Sequence, residues 1–240
     1  MIARRTETSW IVVAQADHAR LAGELIALAR VPELVDSSRR KEVLRAVAEH
    51  DNGWWEEDAA PRLDPGSGGP LDFRALPGPV KRAIWSRGVE RYAAREPYVA
   101  ALVAGHFLRL VASWSADPDW RVYAEAEQAR RLELLAAAGR SEDEARADDR
   151  WLRLGDELSL VATTLEPTLL GTPGWSCAVA ERAPFVELRV SPFPWAGATR
   201  FALDVRRVPL RRYADAVELG TATITARIER LPVRLVPLAG

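Results

Sequence analysis

His50-Asp51-Asn52-Gly53-Trp54-Trp55 sets an imidazole beside a carboxylate where an amphipathic helix is expected to stop. The helix leading into it is read from about Ser37 to Asp51, because Val43, Leu44, Val47 and Ala48 fall at the spacing that builds one inward stripe. Carried on from Val43 and Val47, that stripe reaches His50 and Trp54; carried on from Leu44 and Ala48, it reaches Asp51. Both polar side chains therefore turn inward. A buried, ionised carboxylate needs a cation, a hydrogen-bond network or a proton. A metal ion would satisfy Asp51 and His50 together. Taken alone, the dipeptide reads more plainly as a helix C-cap beside a core histidine.

The other histidines shift that balance. The chain of 240 residues has three, and each falls on an apolar helix face. His18 is followed on its face by Leu21, Ala22, Leu25 and Leu28. His106 ends the run Pro97-Tyr98-Val99-Ala100-Ala101-Leu102-Val103-Ala104-Gly105-His106, a helix apolar nearly all round and so expected at the centre. Imidazoles and an inward Asp are what a metal site between helices requires.

The order His18, His50-Asp51, His106 and then Asp156, in Leu152-Arg153-Leu154-Gly155-Asp156-Glu157-Leu158-Ser159-Leu160, resembles the H...HD...H...D order of the HD-domain superfamily of metal-dependent phosphohydrolases. More narrowly, four motifs together are similar to an uncharacterised, mainly bacterial family of HD-like proteins. They are Gln15-x-Asp17-His18-Ala19-x-Leu21-x-Gly23, His50-Asp51-x-Gly53-Trp54, Pro97-Tyr98 with Gly105-His106-Phe107, and Gly155-Asp156-x-Leu158-Ser159-Leu160. The likeness spans roughly residues 10 to 165. It implies that His18, His50, Asp51 and Asp156 ligate a first divalent ion of iron, manganese or zinc, with His106 lining the site or serving a second ion. Dinuclear members place two further histidines after the HD pair, and this chain has only His106. The site then holds one ion, or Asp17 or Asp58 completes a second.

Composition narrows the class. With 48% apolar and 28% charged residues the chain is of ordinary globular make-up. Its 33 basic and 34 acidic residues leave a net charge of -1, so no overall field recruits nucleic acid or a membrane surface. A single cysteine, Cys177, excludes an internal disulfide framework and fits a reducing cytoplasm. Met1 to Glu7 is followed only by the short apolar run Trp10 to Ala14, too short for a secretory or spanning segment, and a cytoplasmic protein is expected.

Along the chain, Trp10-Ile11-Val12-Val13 reads as a short strand and residues 16–30 as the first helix. Residues 58–79 are rich in proline and glycine, and form either a lid over the HD turn anchored by Leu71 and Phe73 or a mobile surface loop. Pro79 and Pro97 each open a helix, and Ser141-Glu142-Asp143-Glu144 reads as a capping box ahead of the helix that carries Asp156. From about Pro167 the period turns to two, in Phe185–Val190, Arg200–Arg206 and Thr223–Glu229. The expected fold is mainly α: an HD-like helical metal-binding domain over residues 1–166, with a small C-terminal antiparallel β appendage over 167–240, α+β overall.

The expected activity, taken from the superfamily, is metal-dependent hydrolysis of a phosphoester or related small molecule by water activated at the ion. Sequence proximity nominates Asp51 or Asp17 as proton acceptor with Gln15 beside them, and Arg20, Trp54 and Trp55 as substrate-binding residues. A di-iron oxygenase of the HD fold and a non-catalytic metal- or ligand-binding protein are the alternatives. A homodimer is left open.

Overall fold

The computed structural model describes residues 1–112, 117–182 and 184–238. Strands β1 (Ile2–Arg5) and β2 (Ser9–Val13) come first, then helices α1 (Gln15–Ala27), α2 (Pro32–Val35) and α3 (Arg40–Glu49). A 3-10 turn at Asn52–Trp54 leads into α4 (Trp55–Ala59). Next come α5 (Gly78–Ala93), α6 (Pro97–Val111), α7 (Pro118–Ala137) and α8 (Glu142–Thr164). The remaining elements are β3 (Ser176–Arg182), β4 (Phe185–Ser191), β5 (Thr199–Pro209), α9 (Ala216–Thr225) and β6 (Ile228–Pro237).

The expectation of a mainly α, HD-like helical domain with a small antiparallel appendage does not hold. Helix accounts for 54% of the protein, and strand, at 20%, forms a six-stranded, curled, mixed sheet resembling a half-barrel. Its order is β1-β2-β5-β6-β4-β3. Both ends of the chain build it: β2 runs antiparallel to β5, with Val12 opposite Arg206, while β4 and β6 run parallel. The charged lead Ile2-Ala3-Arg4-Arg5 makes a strand because its register partner, Trp10 to Val13, lies one tight turn away.

Thr223–Glu229, read as a strand, straddles the last turn of α9 and the first residues of β6. Asp215 caps that helix by accepting from the Glu218 amide at 2.8 Å. The Thr221, Thr223 and Thr225 hydroxyls bond back to carbonyls one turn earlier, so their alternation with apolar residues is not a strand's. Strand β6 follows and carries Pro232. Its missing N–H costs no ladder bond to β4, because the β4 pairing begins only at Val233.

The helices pack as the apolar spacing requires. Residues Val99 to Ala104 of α6 have no exposed surface, and α6 lies among α3, α5, α7 and α8. Helix α8 opens on the full capping box between Ser141 and Glu144. Helix α1 lies against α3 and α8 and also against β5, so it joins the sheet to the helical layer. Gly155 lets α8 come close there, since a Cβ on it would lie 2.8 Å from Val47 Cγ1 and 2.9 Å from Ile26 Cγ1. No described helix is long and apolar enough to cross a membrane.

Candidate metal centre

Four elements meet at one point inside the helical layer. Helix α1 brings His18, the end of α3 brings His50 and Asp51, α6 brings His106 and α8 brings Asp156. None of the five is more than 6% exposed. His18 Nε2 and His50 Nε2 face one another at 3.1 Å. Asp51 Oδ2 lies 3.4 and 3.6 Å from these two nitrogens, and Asp156 Oδ1 lies 3.5 and 3.4 Å from them. Two donors that share an ion at about 2.0–2.2 Å, roughly 90–110° apart, are separated by about 2.8–3.6 Å. All five spacings fall in that interval, so the two Nε2 atoms could share one divalent cation with a carboxylate oxygen from Asp51 or from Asp156.

The surroundings decide which ring nitrogens are free. His50 Nδ1 faces the Val47 carbonyl at 2.8 Å and must donate to it, which leaves the Nε2 lone pair pointing at the centre. Ser159 donates its hydroxyl to the Asp156 carbonyl at 2.9 Å, so the hydroxyl oxygen accepts from His18 Nδ1 at 2.7 Å. His18 Nε2 is then bare as well. Two opposed lone pairs repel unless a proton or a metal ion lies between them. His106 differs, because its Nδ1 accepts from Arg109 Nη2 at 2.8 Å and its proton therefore sits on Nε2.

Electrostatics places a proton between the two facing rings, on His50, when no ion is bound. Burial disfavours a charged His50, but the Asp51 and Asp156 carboxylates outweigh it and push its pKa up to about 9. Burial lowers the His106 pKa to about 3, with Arg109 and His50 acting in the same direction against Asp156. Burial would raise Asp51 and Asp156, yet the surrounding imidazoles hold both below the ordinary carboxylate range. His106 is thus a neutral imidazole packed beside the cluster, with its Nδ1 already taken.

The HD turn is pinned to α5 through backbone. Asn52 Nδ2 donates to the Glu49 and Gly88 carbonyls, and Arg87 donates to the Gly53 carbonyl at 2.6 Å through Nη2. A Cβ on Gly53 would lie 2.1 Å from the Ile84 carbonyl oxygen. Only glycine lets the turn lie this close to α5.

A cavity of about 260 Å³ opens onto the cluster, and Gln15, His18, Asp51, Trp54, His106 and Asp156 are among the residues that line it. The other residues nominated from sequence lie elsewhere. Arg20 pairs with Glu24 at 2.7 Å and with Asp204 of β5 at 3.2 Å. Asp17 sits among Arg20, Asp204 and Arg206, and burial raises its pKa. Trp55 is half exposed, with the Arg91 guanidinium 4.7 Å above its ring. Asp58 accepts from the Gln15 amide at 2.6 Å and so holds the start of α1 rather than a second ion. Sequence reading missed Arg109 and the tautomer-setting role of Ser159. Each lies three residues after a candidate ligand, His106 and Asp156, which is the spacing that could have revealed it.

A family model described as "Protein of unknown function (DUF3891)" matches residues 1–211. No curated protein and no solved structure matches the chain.

Proposed function

Since the chain belongs to the DUF3891 family, whose description carries no activity, function has to come from the site, and we propose a metal-dependent hydrolase of small phosphoesters. The observation that supports this most is the convergence of the His18 and His50 Nε2 atoms, 3.1 Å apart, with an oxygen of Asp51 and one of Asp156 each 3.4–3.6 Å from both, at the end of a cavity. An ion held by His18, His50, Asp51 and Asp156 would supply Lewis acidity, lowering the pKa of water and neutralising charge on phosphoryl oxygens.

The protein's own groups do the rest. Val47 and Ser159 hold the two histidines in the ligating tautomer. Arg109 bonds His106 and lies 3.6 Å from Asp156 Oδ2, so it fixes the far side of that carboxylate. Neutral His106 keeps its Nε2–H as a hydrogen-bond donor. Gln15, on the cavity wall, has a buried Oε1 with no partner among the described residues and can orient water or substrate. His50, His106 and Asp156 also group closely, but Arg109 occupies His106 Nδ1. One ion is the reading we adopt over a di-iron centre.

Elemental analysis of protein purified without chelator or nickel resin should find about one iron, manganese or zinc ion per chain. Chelation should remove it together with phosphomonoesterase activity, and the same metal should restore both. A wild-type protein that neither carries nor takes up metal would falsify the proposal. The His50 proton adds a pH signature. It must leave before Nε2 can ligate, so apparent Zn²⁺ affinity should rise about tenfold per pH unit from 7 to 9 and then level off. Competition titrations measure this, and a flat profile over that range counts against His50 as a ligand.

A further inference from the structure

Away from the ligands, the cavity walls are Trp54, Phe73, Trp85, Leu110, Leu160 and Leu169. Their only polar atoms are indole N–H groups. The aromatic walls are braced: Trp54 meets Phe73 edge to face with centroids 6.2 Å apart, and Trp85 stacks on Phe107 at 5.2 Å. Arg74 and Lys81 also line the cavity at one side; the Asp72 and Glu166 carboxylates hold Arg74 at 2.7 and 3.1 Å, and Lys81 Nζ donates to the Arg74 carbonyl at 2.8 Å. A volume of about 260 Å³ equals that of eight or nine waters at about 30 Å³ each, room for an anionic head and one ring.

Two polar atoms stand out against this lining. Gln15 Oε1 and Trp54 Nε1 are buried with no partner among the described residues, in side chains 1% and 2% exposed. Buried polar atoms are nearly always paired, so an acceptor and a donor are left unsatisfied in two side chains that line the same cavity as the candidate ligands. Hydroxyls of a sugar would instead meet carbon. Resting on the hydrolase reading, we propose that the cavity takes a phosphomonoester with a compact apolar body, an aryl or branched alkyl group, in preference to a sugar or nucleoside phosphate. Trp54 donates to an oxygen of the ester head, Gln15 holds the same end, and the leucines enclose the body.

The test uses non-hydrolysable probes with one shared head, phenylphosphonate and 2,3-dihydroxypropylphosphonate, titrated into metal-loaded full-length protein by calorimetry. Phenylphosphonate should bind at least about 30-fold tighter, as expected from burying a ring rather than two hydroxyls. Leu169→Gln, at a partly exposed wall position, should weaken the phenyl probe about tenfold, leaving the diol probe and the metal content at wild-type values. Trp54→Phe should weaken both probes alike, by about fivefold, because it removes the N–H and keeps a ring. Equal affinities, a preference for the diol, or binding of neither probe to metal-loaded protein would overturn this substrate class while leaving the metal centre standing. Failure to take up metal at all would overturn both.

Discussion

Asp156→Ala is expected to abolish metal uptake, weakening it by at least about 1,000-fold, and to cost the metal-free protein about 3–5 kcal/mol. The carboxylate is 4% exposed and faces four basic groups, His50 at 3.4 Å, His18 at 3.5 Å, Arg109 at 3.6 Å and His106 at 3.8 Å. Removing it takes one of the four ligands and leaves buried positive charge with Asp51 as its main counterpart. Asp156→Asn separates the two losses: it keeps the volume and most hydrogen bonds, so part of the stability should return, but the anionic ligand is still gone and metal should stay absent. Urea denaturation of chelated protein, beside elemental analysis of the purified variants, reads both effects. Stoichiometric metal in Asp156→Ala would show that the ligand set is wrong.

Gly53→Ala is expected to lower stability by about 3 kcal/mol or more, a large effect for one methyl group. The added carbon would meet the Ile84 carbonyl oxygen at 2.1 Å and the Gly88 nitrogen at 3.0 Å. Both are backbone atoms of α5 and have no rotamer by which to retreat. The turn carrying Asp51 must therefore move, and metal affinity should fall together with the thermal midpoint even though Gly53 ligates nothing. Calorimetric melting and metal titration check the pair. A variant with wild-type melting and metal affinity would mean that the turn does not depend on its contact with α5.

The candidate ligands could be read from the sequence because each stands on a helix whose apolar period declares an inward face. His18, the HD pair, His106 and Asp156 reach one point because the helices bearing them pack against one another. Residues nominated only by adjacency fared differently. Asp17 is rotated about 100° from His18 around α1, which takes it toward Asp204 and Arg206. Trp55, one residue past the buried Trp54, reaches the surface in the same way. For the tautomers only the placement of Ser159 beside Asp156 was legible, since its partner His18 lies 141 residues away in sequence. The sheet was the larger omission: Val12 pairs with Arg206, and nothing local in Trp10 to Val13 announces so distant a partner. The threonines of α9 also made the end of a helix look like a strand, and the proline in β6 helped to hide a central strand just beyond it.

The strand order β1-β2-β5-β6-β4-β3 has a temporal meaning. Among the described strands, β1, β2 and β5 form one ribbon and β3 and β4 another; β6, the last of these in chain order, alone joins their backbones into one sheet, while the Arg4–Glu181 ion pair bridges the two outer edges at 3.0 Å. Until it arrives, a growing chain has every candidate metal ligand in hand but holds two separate ribbons, each with an unpaired edge open to foreign strands. Strand β6 is therefore a keystone: the two spans close into one sheet only when it is in place.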